Sequence, residues 1–367
     1  MLKSIAQPLS ARALIACRRL QVSLLEWLCD AVVTGASVTR ANLGLRLNTV
    51  IEADWLWRLL SKEVRGQSLL NRAQTIADMN VGDKALLLSW VQTVIDLTTQ
   101  FQPGAPAWPN PKTDPSIPPD AQKALSDLMQ AFYTKGLKPG LPYSSDGTPV
   151  VNGGVTYADF VQEFRAAHRL DLNPDSREVC VLCGGPFVTP EVDHWVAKAA
   201  FSLLSVCGDN LLPICGDCNS PSNKGTKPVF SEGPAAFSDW FHPYLRSGYG
   251  TIKIEYDSNK RKIIAAAMVP ADAAKIGNLD GLLNLASRWT LEFKAEYQDL
   301  KKTIRQLIQL GRLACTALDI EQYVLQKQAE LLSSEPNYEV YSTLMSTVLE
   351  QTRLASWQTE LDLENIA

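Results

Sequence analysis

The chain has 367 residues, a length typical of about two or three domains. Hydrophobic residues make up 46% of it and charged residues 20%, which excludes a wholly disordered or collagen-like protein. The formal net charge of −4 argues against binding nucleic acid through bulk positive charge, although a local basic patch could do so. No apolar run approaches the roughly 20 residues that span a bilayer, so we expect a cytoplasmic protein with no membrane partner.

The first part of the chain is predicted to be helical. In residues 1–101 leucines recur at helical spacing without strand-like alternation, which indicates a helical N-terminal domain that packs on itself or docks a partner. Residues 102–120 contain seven prolines and are typical of a stiff, extended linker, the clearest domain boundary in the chain. Residues 121–176 are expected to form a helical connector, with helices near 119–135 and 157–169.

The C-terminal part is predicted to contain one hairpin followed by helices. Residues 231–270 form the hairpin extension, in which Ile252, Ile254 and Tyr256 alternate with charged residues before an Asp-Ser-Asn-Lys turn. Residues 271–367 follow as a C-terminal helical region.

A basic stripe is expected on the helix around 284–313. Lys294, Lys301, Arg305 and Arg312 are spaced 7, 4 and 7 residues apart, which places them on one helix face. Such a stripe could follow a phosphate backbone. Because acidic residues are interspersed, an ordinary solvated face is the favoured interpretation.

Cysteines mark the middle of the chain, residues 177–230. Of eight cysteines, four form two Cys-x-x-Cys pairs with 31 residues between the pairs. Each pair can supply two thiolates from one tight turn, which suits tetrahedral Zn²⁺ in a reducing cytoplasm. A site closed by four thiolates has no position left to activate water, so this zinc would be structural. The predicted ligands are Cys180, Cys183, Cys215 and Cys218.

Candidate catalytic residues lie between and just after these pairs. The strand-like run 191–196 contains Asp193 and His194, a second strand candidate covers 209–214, and Asn219 begins a polar, helical stretch. Hydrolysis of a phosphodiester needs a general base, a task that suits histidine. It also needs a cation to neutralise developing charge, and Asp and Asn oxygens are hard ligands suited to Mg²⁺ or Mn²⁺.

This segment resembles the HNH family of endonucleases, which have a ββα-metal fold. The family's Asp-His dipeptide, central Asn and final Asn or His match Asp193-His194, Asn210 and Asn219. The resemblance implies that His194 is the general base and that Asp193 and Asn219 bind the catalytic divalent cation. It also implies that Asn210 orders the loop between the strands.

One departure from the family pattern leaves the last ligand open. Family members often have a lysine three residues after the last ligand, whereas Lys224 lies five residues after Asn219. Asn223 is therefore kept as an alternative cation ligand.

The expected fold class is mainly α and multi-domain, with a central small α+β unit, a zinc-stapled ββα-metal (HNH) nuclease. The resemblance favours DNA over RNA as the substrate. It also suggests the nuclease effector of a restriction or anti-phage defence system, with an ATPase subunit as a protein partner. The alternative is a non-catalytic zinc-stapled module that binds nucleic acid or protein. Three other residues are expected to be packing residues: His168, His242 and Cys207.

Overall fold

A computed structural model describes residues 2–94, 97–102, 104–105, 108, 117–170, 173, 175–229 and 237–366. The described chain is mainly helical, which confirms the predicted fold class at that level. Its strands form three separate two-stranded antiparallel sheets. No described helix combines the length and apolar character required to cross a bilayer.

The N-terminal region is helical, as expected. Its helices are α1 (Ala11–Leu28), α2 (Arg40–Arg46), α3 (Val50–Leu60), α4 (Leu69–Ala77) and α5 (Val81–Val94). The side chains of Thr39, Thr49 and Ser68 accept hydrogen bonds at the starts of α2, α3 and α4, which satisfies free backbone donors there.

A small hairpin interrupts these helices. The strands β1 (Glu63–Val64) and β2 (Gln67–Ser68) are joined by Arg65 and Gly66, both with positive φ (51° and 76°). Two consecutive left-handed residues make a tight hairpin turn. Strands of two residues are too short to show an alternation of apolar and polar side chains in the sequence. The prediction of an entirely helical N-terminal region was therefore incomplete.

The connector contains α6 (Pro119–Ala131), a π-helical turn (Phe132–Leu137) and α7 (Tyr157–His168). Pro119 occupies the first position of α6, where the missing N–H costs nothing. Most of the proline-rich linker lies outside the described residues. Within it, Trp108 packs against Phe201 and Phe237, with ring centroids 5.1 and 5.0 Å apart.

The middle of the chain forms the expected order of strand, loop, strand and helix. β3 (Pro190–His194) pairs antiparallel with β4 (Leu211–Cys215), so that Pro190 lies opposite Cys215 and His194 opposite Leu211. The helix α8 (Gly216–Asn219) follows at once. It is a single turn that ends at Asn219, whereas the sequence predicted a helix that begins there.

The C-terminal part begins with the expected hairpin, β5 (Ile252–Asp257) and β6 (Lys262–Ala267), whose register joins Ile252 to Ala267. Residues 230–236, where the hairpin extension was predicted to begin, lie outside the described part of the chain. The remaining helices are α9 (Ala273–Leu283), α10 (Leu285–Gln309), α11 (Ala317–Glu330), α12 (Tyr338–Val348) and α13 (Gln351–Ile366).

The basic stripe on α10 is not an open basic face. Lys301 is only 9% exposed, and its ammonium pairs with Glu360 of α13 at 2.6 Å. Arg305 is half-buried, while Lys294 and Arg312 are exposed. The stripe is divided because α13 packs beside it, which helical periodicity alone cannot reveal.

Buried apolar side chains from the described parts of the N-terminal, middle and C-terminal regions belong to one continuous core. α4 packs on α6, and α1 contacts the loop before β4. The predicted domain boundaries remain predictions. This packing nevertheless brings N-terminal helices into direct contact with the loop that follows His194.

Candidate functional site

Four cysteines converge beside the β3–β4 hairpin. The Sγ atoms of Cys180, Cys183, Cys215 and Cys218 all lie within 4.8 Å of one another, and those of Cys183 and Cys215 are 3.8 Å apart. Tetrahedral zinc with bonds of about 2.3 Å to sulfur places the sulfurs about 3.8 Å apart. All four cysteines are buried. The group therefore fits a structural zinc ion, and it is the one such cluster of Cys, His, Asp or Glu within the described residues.

Local backbone geometry forms the first half of this group. Between Cys180 and Gly185 the chain turns tightly, with Gly184 at a φ of 74°, a conformation that glycine adopts without strain. The N–H of Gly185 donates to the sulfur of Cys183 at 3.4 Å. Donors of this kind stabilise thiolates and orient the ligands.

An arginine from α10 completes the surroundings of the sulfurs. Nη1 of Arg288 lies 3.3 Å from the sulfur of Cys218. Burial lowers the pKa of Arg288, but the neighbouring Cys218 and Cys183 raise it more, so the guanidinium stays charged. Four thiolates around Zn²⁺ carry two net negative charges, which this cation partly offsets. Arg288 was missed in the sequence because its position beside the sulfurs depends on how α10 packs.

The imidazole of His194 is held at the end of β3. Its Nε2 lies 3.0 Å from the backbone oxygen of Ser205. A carbonyl oxygen only accepts, so Nε2 carries the proton and Nδ1 keeps its lone pair. Nδ1 has no hydrogen-bond partner among the described residues, and it is not one of the enclosed, unpaired polar atoms. This nitrogen therefore keeps some contact with solvent.

The ring itself is largely enclosed. His194 is 5% exposed, and its edge meets the ring of Tyr133 at a centroid distance of 4.6 Å. Burial, with a smaller contribution from Lys198, lowers the pKa of His194 to about 3. The imidazole is therefore neutral at pH 7.

Residues of α1 and α6 position the carbonyl that holds His194. Nε2 of Gln21 donates to Oγ of Ser205 at 3.2 Å, and that hydroxyl donates to the backbone oxygen of Met129 at 2.5 Å. Oε1 of Gln21 accepts from Arg18 at 2.7 Å. All of these side chains are buried. No motif indicates them, because Arg18, Gln21 and Met129 lie on helices distant in sequence from His194 and Ser205 lies in an unpatterned loop.

Asn210 ties the loop between the strands together. Its Oδ1 accepts from the N–H of Val196 at 2.7 Å, and its Nδ2 donates to the backbone oxygens of Val196 and Leu204 at 3.0 and 3.2 Å. The side chain is fully buried. These three hydrogen bonds close the loop on which the Ser205 carbonyl lies.

Asp193 is engaged in a buried ion pair. Its carboxylate lies 2.7 Å from the ammonium of Lys224, which also donates to the backbone oxygen of His194 at 2.8 Å. Lys224 is 0% exposed. Burial raises the pKa of Asp193 to about 6, against the opposing attraction of Lys224. Lys224 therefore fixes both the side chain of Asp193 and the backbone of His194.

The other predicted cation ligands contact different partners. Nδ2 of Asn219 donates to Glu191 at 2.5 Å, and Nδ2 of Asn223 donates to the backbone oxygen of Asp217 at 2.7 Å. Glu191 and Asp193 lie two residues apart on β3 and so share a face. The oxygen donors are thus of the right type for a hard cation. A divalent cation at Asp193 would compete with the ammonium of Lys224.

The other histidines occupy packed positions. His168 lies against Phe164, with ring centroids 5.6 Å apart. His242 is fully buried, and its Nδ1 accepts from the N–H of Tyr244 at 3.2 Å. Neither histidine is a member of the four-cysteine group.

Comparison with known proteins yields no match: no family model, no curated protein and no solved structure is similar to this chain. The resemblance to HNH endonucleases therefore depends on the motif residues alone.

Proposed function

We propose that the protein is a metal-dependent HNH-type endonuclease that hydrolyses phosphodiester bonds, with DNA as the favoured substrate. The observation that carries the proposal is the geometry of His194, whose Nε2–H is bonded to the Ser205 carbonyl. This leaves Nδ1 as a free base on a hairpin bordered by a zinc-type cysteine group. A neutral imidazole with one anchored nitrogen is placed to accept a proton at the other, although the lowered pKa of His194 makes it a weak base in the absence of substrate and cation.

In this reaction His194 accepts a proton from the attacking water at Nδ1. As the ring becomes cationic, its hydrogen bond to the Ser205 carbonyl becomes charge-assisted and stronger. Burial, together with the charges of Lys198 and Lys224, disfavours the cationic ring, and the hydrogen bond to the Ser205 carbonyl offsets part of that cost. Asp193 and Asn219 would hold Mg²⁺ or Mn²⁺, which supplies stabilisation of charge on the phosphate and the leaving oxygen.

The zinc site would contribute to this chemistry only by holding the β3–β4 hairpin, and with it His194, in position. Cys215 pairs with Pro190 at one end of the β3–β4 hairpin, and His194 pairs with Leu211 at the other end. A tetrahedral ion holding Cys215 therefore fixes the strand register on which the placement of His194 depends.

Plasmid cleavage with Mg²⁺ or Mn²⁺ tests the proposal. His194→Ala should lose cleavage by about 10²- to 10⁴-fold, the usual contribution of a general base, while its zinc content is retained. Asn219→Ala should also cut poorly, with activity partly restored at high cation concentration. His168→Ala is the matched control and should cut like the wild type. Cutting at the same background level by all four proteins would refute the nuclease.

A second candidate function is a non-catalytic zinc-stapled binding module. The observation that favours it is the buried Asp193–Lys224 ion pair, in which a protein cation already neutralises the carboxylate expected to bind metal. Absence of cleavage by the wild type, with binding of nucleic acid or protein retained, would support the module. The resemblance also predicts that the protein is the nuclease effector of a restriction or anti-phage defence system, with an ATPase partner in the cytoplasm.

A further inference from the structure

Exposed basic side chains are grouped on one surface next to the ring of His194. The ammonium of Lys198 lies 4.3 Å from the ring centroid of Tyr133, the same ring that His194 meets at 4.6 Å. Lys135 and Lys138 are exposed on and just after the π-helical turn that carries Tyr133. We name as the basic surface the set Arg58, Lys62, Lys135, Lys138 and Lys198.

Hydrogen bonding and electrostatics show that these residues are close neighbours. Nζ of Lys62 donates to the backbone oxygen of Lys135 at 2.8 Å. The pKa of Lys62 is lowered mainly by burial and further by the nearby charges of Lys135 and Arg58. The pKa of Lys198 is lowered by burial and then by the charge of Lys138, while the carboxylate of Asp193 opposes this shift. Lys62 therefore lies near the charges of Lys135 and Arg58, and Lys198 near that of Lys138, along a path from α3 through the π-helical turn to the loop after β3.

These cations are not held in ion pairs within the described part of the chain. None of the five forms an ion pair with a described acidic residue, whereas Lys275, Lys301 and Lys327 each pair with a carboxylate at 2.6–2.9 Å. The chain contains 39 acidic residues against 35 basic ones, so acidic partners are not scarce. Unpaired cations grouped in an acidic protein create a local positive potential that attracts anions.

A cavity of mixed polar and apolar lining borders the loop that carries Lys198. It has a volume of about 230 Å³ and is lined by Arg65, Lys123, Ser126 and Ser202, together with Ala199, the residue after Lys198. Arg65 is exposed and lies 3.3 Å from Asp127, a carboxylate that Arg72 already neutralises at 2.9 Å. Two further cations, Arg65 and Lys123, therefore line a cavity that borders the residue after Lys198.

We propose that the basic surface binds the phosphodiester backbone of DNA and leads the substrate to His194, in place of the stripe on α10. The inference extends the proposed endonuclease function and rests on it for the role of His194. Lysines act as point charges on phosphates and read no base edges, so this binding should depend little on sequence.

The test is fluorescence anisotropy with a labelled 20-base-pair DNA, using full-length zinc-loaded protein that carries His194→Ala so that no cleavage occurs. The double variant Lys135→Gln/Lys138→Gln removes two exposed charges of the basic surface. Its matched control, Lys294→Gln/Lys302→Gln, removes two exposed charges of α10. Substitutions at exposed sites of this kind usually change stability by less than about 0.5 kcal/mol.

The expected result is weaker binding by about eightfold per lost phosphate contact at 0.1 M salt, with a slope of log K against log salt that is shallower by about 0.9 per contact. The α10 control should bind like its parent. A loss of affinity in the control alone, or no DNA binding by the parent, would overturn the proposal. If the wild type binds through Lys135 and Lys138 but never cleaves, the endonuclease fails while the basic surface stands.

Discussion

The buried pair of Asp193 and Lys224 gives the sharpest test of how this site is built. Lys224→Met keeps the volume of the side chain but removes the ammonium that contacts Asp193 at 2.7 Å and the backbone oxygen of His194 at 2.8 Å. Both side chains are buried, so no water replaces the lost contacts without rearrangement.

The magnitude follows from the geometry. At 2.7 Å and an effective dielectric constant of 20, the gross attraction between the two charges is about 6 kcal/mol, most of which offsets their desolvation. Removing one partner leaves a buried carboxyl that must stay charged without a counter-ion or take up a proton, and such changes cost about 3–5 kcal/mol. Burial already raises the pKa of Asp193 to about 6, so without Lys224 the carboxyl should be protonated at pH 7.

Urea unfolding, followed by tryptophan fluorescence on zinc-loaded protein, measures the effect. Lys224→Met should lower the free energy of unfolding by about 3–5 kcal/mol, and the double variant Asp193→Asn/Lys224→Met should recover most of the loss. The exposed Lys302→Met is the control and should unfold like the wild type. If Lys224→Met were no less stable than Lys302→Met, the ion pair would not exist as described.

Two further predictions concern zinc and pH. Cys215→Ser should lose bound zinc and melt at a lower temperature. Cys207→Ser changes a buried cysteine outside the group and should keep its zinc. Zinc retained by Cys215→Ser would contradict the four-thiolate site. Burial lowers the pKa of His242 from 6.5 to about 3, so its contribution to stability is full above pH 6.5 and is lost as the pH falls. Replacing His242 by Phe should flatten the fall in unfolding free energy between pH 6.5 and 4 by up to about 1.4 kcal/mol per pH unit, and parallel profiles would disprove this assignment.

Much of the local structure was predictable from the residues. The helices of the N- and C-terminal regions follow apolar periodicity and capping residues, and the hairpin of β5 and β6 follows strict alternation before a turn. The convergence of the four cysteines was predictable because each Cys-x-x-Cys pair is a local turn that presents two sulfurs to one ion. The sequence did not predict the two-residue strands β1 and β2 or the early start of α8. Elements this short contain too few residues for a recognisable pattern.

The sequence by itself determined the mainly helical character, the order of strand, loop, strand and helix, and the motif residues Asp193, His194 and Asn210, because periodicity and motif spacing are local properties. Only the tertiary structure decided that Gln21 positions the Ser205 carbonyl and that Lys224 neutralises Asp193. It also gathered Lys62 and Lys198 on one surface while pairing Lys301 with Glu360. These contacts join residues distant in sequence, and they depend on how helices pack around a shared core, which no local pattern records.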